Sequence, residues 1–273
     1  MGVLVGVDLP AGGHEWLVRR AGDYARRMAT KVDVVYFVAS ERGAEAHLPA
    51  LQGYLDTLDE SVRGEPRVVA QLPADGLVEL SSDYALLVLG SREPPALERL
   101  LKGPMAGKVL RRSHSAVLVP HSLGDPPESL RLVIGVDVTG PDPERVLQMG
   151  ARWAERVNGT LDGLYVEAGS LHIADRSVRM AAEKEWAALR RPKLDRLEGL
   201  MRALIPEAHC GAALLRRGEP EDMLVHLSGD YDVVLVGNRD RQGLSRLVLG
   251  AVAQSVARRS GCDVISLPTA ADD

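Results

Sequence analysis

YALLVLGSRE (residues 84–93) and YDVVLVGNRD (residues 231–240) are two versions of one segment, and comparing them decides how the chain is built. In each, a tyrosine opens an apolar run that stops at a glycine, followed one residue later by arginine and a carboxylate. Extended downstream without a gap, the alignment superposes Leu97 on Leu244, Arg99 on Arg246, Gly103 on Gly250, and Arg111-Arg112-Ser113 on Arg258-Arg259-Ser260. Upstream, VLVGVD ending at Asp8 matches LVIGVD ending at Asp137. Gly90 and Gly237 are 147 positions apart and Asp8 and Asp137 are 129 apart, so the second copy holds 18 extra residues between those points. Self-similarity on this scale governs every later step of the reading. The Pro- and Gly-rich stretch SLGDPPES from Ser122 reads as a linker. The boundary falls near residue 126, giving an N-terminal domain over 1–125 and a C-terminal domain over 126–273 with a helical insertion near 177–204.

Within each half, short β-branched runs alternate with longer amphipathic stretches, the pattern of a parallel sheet covered by helices on both faces. Strands are expected at 3–7, 32–38, 67–71, 85–89 and 116–119, and again at 132–136, 160–166, 211–215, 233–236 and 264–267. Helices are expected at 15–28 and 143–157, where apolar residues recur at helical spacing. The fold class is α/β: two tandem doubly wound domains, each a five-stranded parallel sheet flanked by helices. Pro192 is expected to kink or divide the charged insertion helix.

The composition, 45% apolar and 26% charged over 273 residues, is that of a globular protein. With 33 Lys plus Arg against 38 Asp plus Glu, the basic excess of a nonspecific nucleic-acid or membrane-surface binder is missing. Two cysteines, Cys210 and Cys262, make neither a disulfide framework nor a zinc motif. The opening MGVLVGVD has no basic region before its apolar run, and no stretch approaches the ~20 apolar residues of a membrane span. The expectation is a cytoplasmic protein with no nucleic-acid or membrane partner.

Ligands of open parallel sheets bind beyond the carboxyl ends of the strands, so Asp8 and Asp137, each ending a first strand, are the first candidates. A carboxylate there can accept hydrogen bonds from an adenine amino group or a ribose hydroxyl; it can equally cap the turn that follows. The second candidate element is the strand running into Gly237 and the helix opening near Gly250-Ala251. Glycine permits close backbone approach, and free amides at a helix start attract phosphate.

With these residues in view, the chain resembles the universal stress protein family in its tandem form, over nearly its whole length. ATP-binding members carry G-x2-G-x9-G-S/T between the fourth strand and the last helix. The C-terminal half offers Gly237-x2-Asp240-x9-Gly250-Ala251, and the N-terminal half Gly90-x2-Glu93-x9-Gly103-Pro104. The resemblance implies that Asp8 and Asp137 take the adenine-side position and that Val38 and Val166 contact adenine through their backbone. It further implies cofactor-binding roles for Gly237, Arg239, Gly250 and Ala251, with Gly90 and Gly103 as weaker equivalents. The implied ligand is ATP or another adenine nucleotide, with or without Mg²⁺. It also implies an internal pseudo-dimer paired through the last strands, 116–119 against 264–267, and leaves room for a homodimer and for a protein partner.

Asp240 and Glu93 would repel phosphate unless Arg239, Arg241 or Arg92 offsets them, Ala251 lacks the family hydroxyl, and Pro104 lacks an N–H. The N-terminal motif is therefore read as degenerate. For the C-terminal motif, nucleotide binding and a vestigial fold element both stay open, the latter leaving an interaction scaffold. Catalysis, at most slow ATP hydrolysis, ranks last because no base or metal-ligand set is visible. The pseudo-P-loop at Gly103 to Val109 is one residue short and lacks its Ser or Thr. His209-Cys210 reads as a structural pair at a strand entrance.

Overall fold

The computed structural model describes residues 1–90, 103–121, 124–167, 176–237 and 251–268, without the side chains of 176–189 and 251. The chain forms two compact units, Met1–Pro127 with Val236–Asp273, and Glu128–Leu235. These units do not follow the repeat, because the last helix and strand of the second copy pack with the first copy.

The first unit contains β1 (Gly2–Gly6), α1 (Glu15–Arg27), β2 (Val32–Val38), α2 (Leu48–Leu55), β3 (Arg63–Ala70), α3 (Pro73–Leu80), β4 (Tyr84–Val88), α4 (Pro104–Arg112) and β5 (Ala116–Val119). From the second copy it adds α8 (Ala251–Arg259) and β10 (Asp263–Leu267). Its strands run β3-β2-β1-β4-β5, all parallel, with β10 antiparallel to β5 in the register Val264↔Val119, Ile265↔Leu118, Ser266↔Val117. This is the pairing of last strands that the resemblance implies.

The second unit contains β6 (Leu130–Gly135), α5 (Pro143–Arg156), β7 (Gly159–Glu167), α6 (Arg176–Leu204), β8 (Cys210–Arg217), α7 (Pro220–Leu227) and β9 (Val233–Gly237) up to Leu235. Its strands run β9-β6-β7-β8, all parallel. Strands buried on both faces carry the core: Val3, Leu4, Val5, Leu132, Val133 and Ile134 are fully buried. Helix α1 covers the β1 residues with Leu17, Val18, Ala21 and Ala25, and in the second unit α5 buries Leu147, Ala151 and Ala154 at helical spacing. Two differences from the sequence reading have clear causes. The helix through Pro192 is not divided; Pro192 is exposed, so water can meet the carbonyl that its missing N–H leaves free. Strand β3 begins at Arg63 and holds Pro66, which an edge strand tolerates.

That early start rests on a device built twice. Asp33 on β2 accepts the Glu65 amide at 2.8 Å on one oxygen and the Tyr84 hydroxyl at 2.5 Å on the other. Asp162 on β7 accepts the Ala212 amide at 2.8 Å and the Tyr231 hydroxyl at 2.6 Å. Each carboxylate fills the place where a side chain at Gly64 or Gly211 would stand, and the pairing register shifts beside it. Burial and the adjacent carboxylate push the Tyr84 hydroxyl up to about 12, and Tyr231 shifts the same way for the same reasons. Tyr84→Phe and Tyr231→Phe should each lower stability by about 1.5–3 kcal/mol, the scale of a hydrogen bond to a charged group. In urea unfolding the two losses should add, since the sites share no partner; losses within error of zero would show that the hydroxyls are dispensable.

β10 is held by a buried polar network. Asp263 has no exposure and accepts from Arg20 Nε at 2.7 Å, the Tyr24 hydroxyl at 3.0 Å and the His121 amide at 3.0 Å. The His121 ring donates through Nε2–H to the Ala257 carbonyl at 2.9 Å. Burial lowers the His121 pKa, against the raising effects of that carbonyl and of Asp263. The folded state therefore takes up this proton less readily than the unfolded chain. The stability it contributes is complete above the ordinary histidine range and is lost as pH falls through that range towards the lowered folded value. Between about pH 7.5 and about pH 5, Tm should fall more steeply in the wild type than in His121→Gln, which keeps an N–H donor. Equal slopes would mean that His121 does not titrate in this window.

Candidate functional site

In both units the strand order turns at the first strand of the repeat: β1 lies between β2 and β4, and β6 between β7 and β9. The carboxyl end of such a strand is the switch point at which doubly wound sheets receive ligands. Asp8 and Asp137 stand two residues past β1 and β6, and both are exposed. Their loops differ. The Asp8 carbonyl accepts the Ala11 and Gly12 amides at 3.0 and 3.1 Å. Asp137 uses its side chain: Oδ1 takes the Thr139 amide at 3.1 Å and the Thr139 hydroxyl at 2.8 Å, while its carbonyl takes the Gly140 amide at 3.0 Å. The turn-capping role considered for this aspartate is thus present at Asp137, and it orients the carboxylate.

The second strand of each half ends beside these loops. Val7 N–H meets the Val35 carbonyl at 3.0 Å and Val136 N–H meets that of Leu164 at 2.8 Å, which fixes equivalent registers. Three residues farther on lie Val38 and Glu167. The register counterpart of Val38 is therefore Glu167 rather than Val166, which is buried one position earlier. Sequence reasoning passed over Glu167 because it follows the apolar run; the constant offset of 129 from Asp8 to Asp137 also links Val38 to Glu167 and could have found it.

Glu167 brings the insertion into the second unit's chemistry. Lys193 of α6 pairs with Glu167 Oε1, and its Nζ lies 5.8 Å from the centre of the Tyr165 ring. The hydrogen bond to Glu167 raises the Lys193 pKa. Oε2 is buried with no hydrogen-bond partner among the described residues. The Glu167 carbonyl accepts the Gly218 amide at 3.1 Å.

The glycines of the two frames have different surroundings. A side chain at Gly90 would press on Leu17 Cδ1, 2.5 Å away, so close packing against α1 accounts for that glycine. Gly237, the last residue of β9, is exposed and has no described atom within 4 Å of the equivalent position. Gly103 caps α4, with Pro104 in its first turn. Lys108 pairs with Asp75, as befits a structural residue rather than a phosphate-binding lysine. Arg239 and Gly250 lie outside the described residues, as do Asp240, Arg241, Arg92 and Glu93; Ala251 is described only as the first residue of α8.

Elsewhere, His209 Nδ1 meets the Gly159 carbonyl at 2.8 Å, in keeping with a structural role. A groove of about 630 Å³ lined by Glu198, Met201, Arg202, Ile205 and Cys210 lies at the amino end of β8, opposite the ends that carry Asp137 and Glu167. Among the described residues no group of three or more His, Cys, Asp or Glu could hold a metal ion, and no helix is long and apolar enough to cross a membrane.

A repeated α/β sheet with an aspartate loop at each switch point defines a class of tandem doubly wound α/β proteins. The model of the Universal stress protein family matches residues 1–121 and 129–268, and the chain belongs to that family. Universal stress protein Rv2623 of Mycobacterium tuberculosis H37Rv is 25% identical over 97% of this chain and 95% of its own length. Two solved structures share the fold at 16% identity. A functionally unknown protein from Pseudomonas aeruginosa PAO1 has a TM-score of 0.69 over 98% of this chain and 92% of its own. A universal stress protein from Archaeoglobus fulgidus has a TM-score of 0.63 over 100% and 97%.

Lys193→Met should cost about 1–3 kcal/mol, because it leaves a mostly buried carboxylate without its cation. Adding Glu167→Val, the residue type at Val38, should recover part of that loss in urea unfolding. A double variant no more stable than Lys193→Met would show that the two side chains are not coupled.

Proposed function

We propose that the chain binds an adenine nucleotide, ATP, ADP or AMP, through its second half, and acts as a nucleotide-responsive protein of stress response or signalling in the cytoplasm. Asp137 carries this reading. Its carboxylate stands exposed at a switch-point strand, held by Thr139 in one orientation. Such a group accepts hydrogen bonds from a base amino group or a ribose hydroxyl. Gly237, Arg239, Gly250 and Ala251 enter through the sequence frame, in which Gly237 has no packing partner among the described residues where Gly90 has Leu17. Mg²⁺ would accompany a polyphosphate, and Arg239 would offset Asp240. Ligand binding would bias a surface read by a protein partner.

A second reading is an interaction scaffold without nucleotide. Gly90 packed on Leu17 and Pro104 at the start of α4 favour it for the first half, where the frame serves the fold.

Calorimetric titration with ATP, ADP and AMP, with and without Mg²⁺, tests the proposal. Saturable binding should appear for at least one nucleotide and weaken by at least about tenfold in Asp137→Ala, about 1.4 kcal/mol. It should vanish in Gly250→Val. Folded protein that takes up none of the three would leave the scaffold reading.

A further inference from the structure

The internal repeat gives the β5 edge two antiparallel partners of nearly equal apolar character. One is β10 of the same chain, which occupies it. The other is β5 of a second copy, since Val264, Ile265 and Ser266 correspond to Val117, Leu118 and Val119 at the repeat offset of 147. Burial of apolar surface separates these partners poorly. The preceding position separates them sharply, because Asp263 corresponds to Ala116.

We propose that the face formed by Arg20, Tyr24 and the His121 amide beside β5 is coded for a strand that opens with a carboxylate, so that it accepts this chain's own β10 and rejects β5 of a second copy. Asp263 is fully buried and Arg20 is 7% exposed. One carboxylate oxygen takes Arg20 Nε at 2.7 Å and the Tyr24 hydroxyl at 3.0 Å; the other takes the His121 amide at 3.0 Å. Arg20 also donates to the Gly124 carbonyl at 3.1 Å, a second contact made within the first half. If β5 of another copy sat in the same register, Ala116 would replace Asp263, and a buried guanidinium, hydroxyl and amide would lose their shared acceptor. A charge stripped of its partner inside a protein is strongly unfavourable, and an unpaired charge raised against the wrong partner is how interfaces discriminate.

The code is written once. Offsets of 129 and 147 put Met149, Trp153 and Pro268 where the first half has Arg20, Tyr24 and His121. A methionine and a tryptophan offer no cation, and a proline has no amide to donate. The second half therefore supplies the carboxylate and the first half its receptor. Asp263 acts on the Arg20 charge of α1 and on the His121 ring; burial lowers the Arg20 pKa, and Asp263, together with Tyr24 and Asp23, raises it overall.

The test removes the tether, whose high local concentration would otherwise favour internal pairing. A protease site is inserted after Asp125 in full-length protein carrying Cys210→Ala, Cys262→Ala and Leu118→Cys. The folded protein is cut, unfolded in urea, refolded with both pieces present, and oxidised. In the observed register, with β5 of a second copy in the place of β10, residue 118 lies opposite its own copy. A disulfide dimer of the N-terminal piece therefore reports the wrong pairing. The coded protein should yield little of this dimer, and Arg20→Met with Asp263→Ala should raise its yield by about fivefold or more. Asp263→Asn, which keeps the size and removes the charge, should raise it too and serves as the second variant. Abundant dimer from the coded protein would overturn the proposal whatever the variants do. So would variants that refold to the native circular dichroism spectrum and show no rise.

Discussion

A carboxylate without solvent, Asp263 at the start of β10, constrains this molecule more than any other group. Burying a lone charge is prohibitive, so β10 can enter the first unit only where a cation and further donors already converge. Arg20 and Tyr24, four residues apart on one face of α1, supply them, each three residues after an apolar residue of the core, Leu17 and Ala21. The helix that covers the core thus also selects the strand that closes it. A buried pair of this kind adds little net stability over apolar packing; its use lies in excluding other arrangements.

The repeat shows which features a duplicated sheet keeps and which it lets diverge. The links Asp33 to Tyr84 and Asp162 to Tyr231 persist because they act within a half: each joins an edge strand, its neighbour and the entrance to a central strand, and each needs glycine beside it. Features facing outward have diverged. At the ends of the second strands Val38 has become Glu167, joined to an insertion helix that the first half lacks. At the switch points, Asp8 serves its turn through its carbonyl, whereas Asp137 is fixed by Thr139. A chain with one half specialised for packing and the other for ligand would diverge in this pattern.

Much of this was legible in the sequence, for physical reasons. The runs 32–38 and 116–119 form strands with those bounds because uninterrupted β-branched and apolar residues suit a sheet buried on both faces. Asp8 and Asp137 were recognisable as strand-end carboxylates from the matched runs before them. The start of β3 was not, since Arg63, Gly64, Glu65 and Pro66 have no strand character and are drawn in by Asp33 from another strand. Asp263 could only look like a residue ahead of an apolar run, because its partners lie 142, 239 and 243 positions away. The domain boundary shows the same limit: periodicity locates the linker near residue 126, whereas packing assigns 236–273 to the first unit.

Nucleotide binding in the second half alone means a single site per chain. Mass spectrometry of the intact protein under non-denaturing conditions, at rising concentrations of the adenine nucleotide that binds, counts sites directly. Saturation should come at one nucleotide per chain. Two per chain with similar affinity would contradict the assignment of the first-half frame to packing, and none at any concentration would contradict nucleotide binding altogether.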